Sequence, residues 1–473
     1  MVKNILIFLF VITAGFNVQA QTQITLQQAI EMGIKNNLEV DQSGLLLKKE
    51  EIGWKQSRAL MLPDLNVNVT HGINHGRSID PFTNSYINQN VNYANYGASS
   101  SVLVSQGGSL QNRIKSDKLS YEAAGLEWQQ AKDNVTINII LAYLQILSAE
   151  EVLQQSKMQA TVSSRQIERL KILNEQGAIA PSEFYDLKGQ VAEEQLAIAN
   201  NEANVVNAKL LLSQYLNIPY DRNMEVARLP ESSFAMDSVA SPETVYASTL
   251  QNFARVKAVH LRSLSAEKAV SSAKGMLFPV LSLGGNINTN YSSAATRPFF
   301  LNSTEVASTD YVNVNGDKIP VMIQQNNFDN RKINYGDQLN NNLFNSIYLT
   351  LSIPVFNASQ ARNRIRLAKI DLENNRLVEK QTKTELQQEV EKAYVAVNTA
   401  LKKYRILQEQ VSAFTESFRA ADVKFNAGAI NSVDYLIAKN NLDNANINLI
   451  IAKYDFVLRG KVLDYYSGIN VQR

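Results

Sequence analysis

Few residues in this sequence combine a side-chain type with a spacing that could support chemistry. The chain has no cysteine, which excludes disulfides, thiolate metal sites and cysteine nucleophiles. Its three histidines are His71 and His75, on one predicted strand, and His260, alone on a predicted helix. Positions four apart on a strand share a face but lie roughly 13 Å apart, so one zinc ion cannot bind both. We therefore predict no metal site, no cofactor and no enzymatic activity.

The composition narrows the function classes further. The 473 residues include 46 Lys and Arg against 44 Asp and Glu, a net charge of +2. That balance gives no electrostatic case for a nucleic-acid partner. At 45% hydrophobic residues, the chain is neither disordered nor a polytopic helical membrane protein.

The N-terminus has the features of a secretory signal. Lys3 precedes an apolar run at residues 5–16, and small residues lead to Ala20, so we predict a signal peptide at residues 1–20. The apolar run is shorter than the ~20 residues that a membrane-spanning helix needs. No later segment has eighteen consecutive apolar residues, so any membrane crossing after export must use strands.

The sequence contains an internal duplication. Pro63 and Pro279 each end a helical segment and correspond at an offset of 216 residues. The later motifs share an offset of 251 residues: Asn-Arg-Ile at 112–114 and 363–365, and Gly-Ala-Ile at 177–179 and 428–430. The two offsets differ by 35 residues, and this insertion falls between the two alternating segments of the second half, in a predicted loop.

Both halves show the same order of periodicities. Apolar residues at three- and four-residue spacing predict helices, and strict alternation predicts strands with one apolar face. The first repeat, residues 21–241, has predicted strands at about 64–76 and 92–106 and predicted helices at about 25–61, 110–174 and 182–216. The second repeat, residues 242–473, has predicted strands at about 280–292 and 343–356 and predicted helices at about 243–275, 361–425 and 433–466. Polar segments at about 77–91 and 293–341 are predicted loops.

The predicted lengths imply an assembly. The long helix, of about 65 residues, spans roughly 97 Å, and two shorter helices end to end match it, so each chain supplies four helical columns and four strands. Four strands cannot close a barrel, because bacterial barrels start at ~8 strands and an open edge is not tolerated in lipid. We predict an internally duplicated α+β membrane protein in which three chains form a trimeric 12-stranded β-barrel that continues into a long α-helical tube.

Aromatic residues cluster near the predicted strands and their outer loops. Outer-membrane barrels carry aromatic girdles at both membrane interfaces. A girdle is therefore one interpretation of these residues, and packing within the loops is the other. They are Tyr86, Tyr93, Tyr96, Phe299, Phe300 and Tyr348.

The order of the elements resembles one known family. Helix, hairpin, long helix, turn and helix occur twice, and an acid follows each turn glycine by six residues, at Glu183 and Asp434. The most specific motifs are Ser-Ile-Pro-Val-Phe-Asn at 352–357 before Asn-Arg-Ile at 363–365, and Phe-Asn-Ala-Gly-Ala-Ile at 425–430 before Val-Asp-Tyr-Leu at 433–436. Across residues 21–473 this pattern resembles the TolC-like outer membrane efflux proteins, the outer membrane factors of tripartite export systems.

The resemblance implies a homotrimeric channel in the outer membrane, with its helical tube in the periplasm. Such a channel passively conducts substrates that an inner-membrane transporter and a periplasmic adaptor, or membrane fusion protein, deliver to it. In that family the adaptor contacts the glycine-led turns at the coil tips. The matching residues here are Gly177, Ala178, Ile179, Gly428, Ala429 and Ile430.

The resemblance also implies a pore gate near the acids that follow these turns, at Asp434 and Glu183. Asp186 has the spacing of the family's second gate carboxylate, whereas Ile437 occupies that place in the other hairpin. Three copies of one carboxylate around a narrow axis attract cations and impede anions. The alternative for Asp434 and Glu183 is an ordinary first-turn carboxylate that the helix dipole favours. The alternative for the turn glycines is that they only end a helix.

A non-channel periplasmic scaffold or adaptor built from coiled coils is the competing function. The unbroken apolar faces of the predicted strands weigh against it, because a soluble sheet does not need them. The eight methionines of the chain are scattered, which gives no support for copper or silver export.

Overall fold

The computed structural model describes residues 23–79, 84–88, 90–230 and 241–468. The predicted signal peptide lies outside these residues. The chain divides into two compact units, each of which draws on both sequence repeats. The helical unit comprises residues 1–51, 118–265 and 372–473, and the sheet unit comprises residues 52–117 and 266–371.

Apart from the short α7, the helices of the two halves match in length. Those of the first half are α1 (Leu26–Asn36), α2 (Leu38–Ala59), α3 (Ser109–Glu175) and α4 (Pro181–Leu216). Those of the second half are α5 (Pro242–Asn252), α6 (Ala254–Gly275), α7 (Tyr335–Asn341), α8 (Gln360–Asn426) and α9 (Ser432–Ser467). The helices α3 and α8 have 67 residues each, which makes each about 100 Å long at 1.5 Å per residue. The helices α4 and α9 have 36 residues each.

The segments predicted as single helices at about 25–61 and 243–275 are each broken once. Asn37 has an extended backbone, and its side chain accepts hydrogen bonds from the N–H groups of Glu39 and Val40, so it ends α1 and caps α2. Phe253 is extended in the same way between α5 and α6. Its ring is buried against Tyr465 and Tyr466, with centroids 5.3 and 6.1 Å away. Capping and aromatic packing therefore outweigh helix continuity at these two positions.

The centre of the helical unit is an apolar cluster around Tyr143 of α3. Its hydroxyl lies 2.9 Å from the carbonyl oxygen of Ile24 and 2.6 Å from that of Ala227, which ties the start of the described chain to the segment after α4. Gly33 of α1 allows close packing here, because a Cβ at this position would lie 2.1 Å from the Cδ1 atom of Ile139. Among the described helices, α3 alone is long and apolar enough to cross a membrane by length and composition. Its most apolar 18-residue window has a mean hydropathy of 1.4, and 44% of that window is buried.

The sheet unit contains a four-stranded antiparallel sheet. The strands of the chain are β1 (Asn66–Asn74), β2 (Arg77–Ile79), β3 (Tyr86–Asn88), β4 (Val91–Gln106), β5 (Val280–Ser292), β6 (Thr296–Val314), β7 (Asp317–Lys332) and β8 (Phe344–Ser352). The sheet has the strand order β1-β4-β5-β8, so each half contributes one hairpin and the two hairpins join through β4 and β5. The four connections to helices leave this sheet at one end, and the two hairpin connections lie at the other end.

The segments predicted as loops contain regular structure, so that prediction is wrong in part. β2 and β3 pair within 77–91, and β6 pairs with β7 within 293–341, where α7 follows. The β6–β7 turn is Asn315-Gly316, and both residues have positive φ, 55° and 102°. That geometry is typical of a two-residue hairpin turn. The many Asn and Ser residues of the segment favoured a loop, whereas its alternating aliphatic residues and this turn favour a hairpin.

Candidate functional site

One face of the four-stranded sheet is apolar and the other is polar. Directly paired residues lie on the same face, and Val67, Ala98 and Ile287 form one such row. On β8, Ile347 is 85% exposed and belongs to the same face. The opposite face carries Asn66, Asn68, Thr70, Asn95, Ser99, Asn286, Asn288, Asn290, Ser346 and Thr350. The sheet is therefore amphipathic, as expected of a sheet that has an apolar environment on one side and water on the other.

Two tyrosines of the predicted girdle lie on the polar face. The ring of Tyr93 lies over Gly72, and the ring of Tyr348 lies over Gly284, where an added Cβ would meet ring atoms at 2.6 Å. The strand register therefore turns these two residues to the asparagine-rich side of the sheet. Tyr96 lies on the apolar face, and its hydroxyl is 2.5 Å from that of Tyr335.

The outer edges of β1 and β8 have no strand partner among the described residues. Both strands are antiparallel to their inner neighbours, and with four strands in alternation β1 and β8 run in opposite directions. The β8 edge of one sheet is thus complementary to the β1 edge of another. Unpaired edges of this kind are templates for pairing with a further chain.

The Gly-Ala-Ile turns end the two long helices in the same way. At the end of α3, the N–H of Gly177 donates to Asn174 at 3.0 Å and that of Ala178 donates to Leu173 at 2.8 Å. At the end of α8, Gly428 and Ala429 repeat the pattern at 3.0 and 2.9 Å. The turn glycines have φ values of 68° and 71°, and no atom lies within 4 Å of an added Cβ. These are Schellman caps, so each glycine has a definite structural role.

The outer residues of the two turns are accessible. Gly177, Ala178, Gly428 and Ala429 are exposed. Ile179 and Ile430, the other residues predicted to contact an adaptor, are half-buried and pack on an apolar cluster beneath the turns. The surface available to another protein at the turns is therefore centred on the glycine and alanine positions.

That cluster joins the two hairpins of the helical unit. Tyr435 of α9 is 1% exposed and stacks on Phe425 with ring centroids 4.6 Å apart. Leu170 and Leu187, from α3 and α4, complete the buried set. Burial raises the pKa of Tyr435 to about 12, so its hydroxyl stays protonated at physiological pH.

The three predicted gate carboxylates have different environments. Asp434 is exposed in the first turn of α9, where its backbone N–H donates to the side chain of Asn431 at 2.9 Å. Asp186 accepts a hydrogen bond from the Ser432 hydroxyl at 3.1 Å, so it links α4 to the start of α9. Glu183 is half-buried in the first turn of α4. Of the three, only Asp186 contacts the other hairpin through its carboxylate in the described part of the chain.

A buried ion cluster lies deeper between the same helices. Lys439 of α9 is 2% exposed, and its ammonium donates to Glu194 of α4 at 2.7 Å and to Asp443 at 2.5 Å. Ser163 of α3 donates to the same Glu194 oxygen at 2.8 Å. The other oxygen, Oε2, is buried without a hydrogen-bond partner among the described residues. We call this set of four residues the ion seam.

The ion seam has two carboxylates for one ammonium. Burial is the main cause that raises the pKa of Asp443, and the nearby charge of Glu194 adds to it, whereas the hydrogen bond from Lys439 opposes it.

Our sequence-based reasoning missed this cluster. The available signal was helical periodicity, because Ser432, Tyr435 and Lys439 recur at spacings of three and four on one face of α9.

The three histidines do not come together in one site among the described residues. The Nδ1 atom of His75 is 2.8 Å from the side-chain oxygen of Asn90, and that of His260 is 3.1 Å from Glu379. His71 lies in β1 opposite Ala94. Within the described residues, no group of three or more His, Asp or Glu side chains has the geometry of a metal site.

Taken together, an amphipathic sheet with unpaired edges and a duplicated set of long helical hairpins are features expected of an outer membrane channel protein. The chain belongs to the outer membrane efflux protein family, whose sequence profile matches residues 29–217 and 245–459. The predicted family and the predicted function, the outer membrane channel of a tripartite efflux or secretion system, are confirmed at this level, as is the outer membrane location. The family is one of channels rather than enzymes.

Individual relatives agree with this assignment. The outer membrane protein TolC of Escherichia coli is 20% identical over 455 residues, which cover 94% of this chain and 82% of the relative. The solved structure of CusC has a TM-score of 0.75 at 14% identity and covers 94% of this chain and 92% of its own. The open-state MtrE outer membrane channel of Neisseria gonorrhoeae has a TM-score of 0.71 at 15% identity, with coverages of 94% and 88%. These likenesses support the predicted α+β fold class.

Proposed function

We propose that this outer membrane efflux channel works as a homotrimer with a 12-stranded barrel. The amphipathic sheet with two complementary free edges carries this proposal. Pairing β8 of each copy with β1 of the next keeps every strand antiparallel to its neighbours and leaves no edge in the bilayer. Three copies give twelve strands, above the ~8 that the smallest bacterial barrels need.

In such a barrel the apolar face meets lipid and the polar face lines the aqueous passage. Neighbouring residues of β1 provide a matched test, because Val67 and Asn68 lie on opposite faces. Arg at a lipid-facing position costs up to ~2–4 kcal/mol at the bilayer midplane. We expect Val67→Arg to reduce the amount of assembled protein in outer membranes, and Asn68→Arg to assemble normally and shift ion selectivity towards anions.

The mass of the purified protein in detergent and its conductance in planar bilayers complete this test. A trimeric mass and discrete conductance steps support the proposal. A stable monomer without conductance contradicts it. Equal insertion of Val67→Arg and Asn68→Arg contradicts the assignment of the two faces.

The partners are a periplasmic adaptor and an inner-membrane transporter, and the adaptor contacts the helix tips. The exposed Schellman turns support this, since Gly177, Ala178, Gly428 and Ala429 offer a surface without protruding side chains. Ile179 and Ile430 position these turns through the apolar cluster below. Because the chain lacks cysteine, Ala178→Cys and Ala429→Cys allow site-specific crosslinking in cells.

We expect both tip cysteines to capture the same periplasmic protein. Ala192→Cys is the matched control, because Ala192 is also exposed on α4 but lies about 20 Å from Ala178, counting 1.5 Å per helical residue. Equal capture at Ala192 would contradict contact at the tips.

The gate lies near Asp434, and Glu183 and Asp186 belong to the same region. Asp434 is the best candidate for a selectivity carboxylate because it is exposed, whereas Asp186 is engaged by Ser432. Three Asp434 carboxylates around the axis of a trimer favour cations. We expect Asp434→Asn to reduce cation preference in planar bilayers. Glu416→Gln, at an exposed carboxylate paired with Arg419, is the control and leaves selectivity unchanged; equal effects of the two variants contradict the gate assignment.

A further inference from the structure

The base of the β6–β7 hairpin lies where the four-stranded sheet ends. The segment 293–295 joins β5 to β6, and the N–H of Ile333 donates to the carbonyl oxygen of Ala295 at 3.1 Å, so both strands of the hairpin begin at this point. The helices leave the sheet at its other end, and in an outer membrane efflux channel they extend into the periplasm. The base of the hairpin is therefore on the side of the outer leaflet.

The length of β5 places this end of the sheet at a membrane interface. A transmembrane strand needs about 9–11 residues, and β5 has 13, from Val280 to Ser292. The apolar face carries tyrosines at this outer end. The rings of Tyr291 and Tyr335 have centroids 4.7 Å apart, and the hydroxyl of Tyr335 is 2.5 Å from that of Tyr96. Because tyrosine is enriched at the depth of lipid headgroups, side chains a few residues beyond Ser292 reach that depth.

The charges of the hairpin are separated along its length. The base, residues 296–299 and 329–332, contains three basic side chains and one acidic side chain, which are Arg297, Arg331, Lys332 and Asp329. The remainder, residues 300–328, contains one basic and three acidic side chains, which are Lys318, Glu305, Asp310 and Asp317. The positive charge of the hairpin is therefore concentrated beside the tyrosines, where lipid headgroups lie.

Two arginines of the base lie directly opposite each other. Arg297 of β6 pairs with Arg331 of β7, so the two side chains share one face of the hairpin. Arg331 forms an exposed ion pair with Asp329 at 2.9 Å and lies over the ring of Phe299, 5.1 Å from its centroid. Arg297 has no carboxylate partner among the described residues. Like charges directly opposite across two strands are destabilising, and an anion bound between them removes the repulsion.

We propose that Arg297 and Arg331 bind a phosphate group of an outer-leaflet lipid. A planar guanidinium donates two parallel hydrogen bonds to phosphate oxygens, and two guanidiniums on one face can share a phosphate. Phe299 is 45% exposed on the same face, so it offers the lipid an apolar contact beside the headgroup. The proposal rests on the lipid-facing orientation of the apolar sheet face proposed above, and it does not depend on the number of chains in the channel.

Titration calorimetry of the purified protein in detergent micelles with diphosphoryl lipid A tests the site. Arg297 is exposed, so Arg297→Gln should retain the fold, and we expect it to weaken binding about tenfold or more because charge-assisted hydrogen bonds are lost. Lys318→Gln is the matched control. It removes one positive charge from the same hairpin about 40 Å from the base, counting 3.3 Å per residue from Arg331, and should leave the affinity unchanged. Equal weakening by the two variants overturns the proposal.

Two further probes identify the source of the phosphate. Lipid A without its phosphates tests phosphate recognition, and inorganic phosphate tests for a site that binds a free anion. We expect the dephosphorylated lipid to bind about tenfold more weakly or worse. Equal binding of the two lipids overturns the phosphate site, and binding of inorganic phosphate as tight as that of diphosphoryl lipid A overturns the lipid as its source. Equal membrane insertion of Val67→Arg and Asn68→Arg instead refutes the proposed orientation of the sheet.

Discussion

Removal of the buried ammonium of the ion seam is the most direct test of what holds the helix tips together. Lys439→Met retains much of the apolar stem but leaves Glu194 and Asp443 without their cation. The Lys439 and Glu194 side chains are 2% and 9% exposed, so solvent screens this interaction poorly. Breaking a buried ion pair by removing one partner costs about 3–5 kcal/mol. Because burial already raises the pKa of Asp443, this carboxyl can take up a proton, and we expect the lower end of that range.

Native-state hydrogen exchange of the purified protein measures this loss locally. Some amides exchange through local opening of the structure. At 1.4 kcal/mol per factor of ten, a loss of about 3 kcal/mol in local stability makes their exchange roughly a hundred times faster. We expect this acceleration at the amides of residues 435–443. Lys157→Met is the control, because Lys157 forms an exposed ion pair with Glu202 of α4 at 2.9 Å, and such pairs contribute about 0–1 kcal/mol. Equal exchange in Lys439→Met and the unmodified chain would refute the reasoning.

Two further outcomes follow from the helical unit. The folded pKa of Asp443 is raised above its ordinary value of 3.8. The contribution of this carboxyl to stability is therefore fully present below pH 3.8 and is lost as pH rises through the folded pKa. Acidification from neutral pH should slow exchange at residues 435–443 after correction for intrinsic rates, and Asp443→Asn should remove this effect. Gly33→Val should destabilise the helical unit by about 1–3 kcal/mol because its side chain would overlap Ile139. Gly189→Val, in the same unit and at a position with no atom within 4 Å of an added Cβ, should cost less than that in the same denaturation experiment.

Much of the secondary structure was accessible from periodicity. The long helices were predicted at about 110–174 and 361–425, and the structure has them at Ser109–Glu175 and Gln360–Asn426. Their ends carry strong local signals, because each Schellman glycine needs a positive φ that other residues resist. The breaks at Asn37 and Phe253 were not predicted, since one depends on a single capping side chain and the other on aromatic contacts distant in sequence.

The β6–β7 hairpin and the ion seam show where sequence reasoning fails. Bulges in β6, between Phe300 and Asn302 and between Ala307 and Tyr311, disrupt the period of two along this strand. A lysine such as Lys439 usually indicates a solvated surface, and its burial depends on Glu194, 245 residues away in sequence. Pairings of this range cannot be read from local pattern.

The unpaired edges of β1 and β8 also affect how the protein reaches its final location. For the proposed homotrimer, a newly exported chain has an uncovered apolar sheet face and two unpaired strand edges in water until other copies arrive. A low concentration of the chain therefore prolongs the time for which it is unassembled, and nearby unfolded chains then promote aggregation. A holding chaperone that binds extended apolar segments would delay premature pairing and favour correct closure in the bilayer.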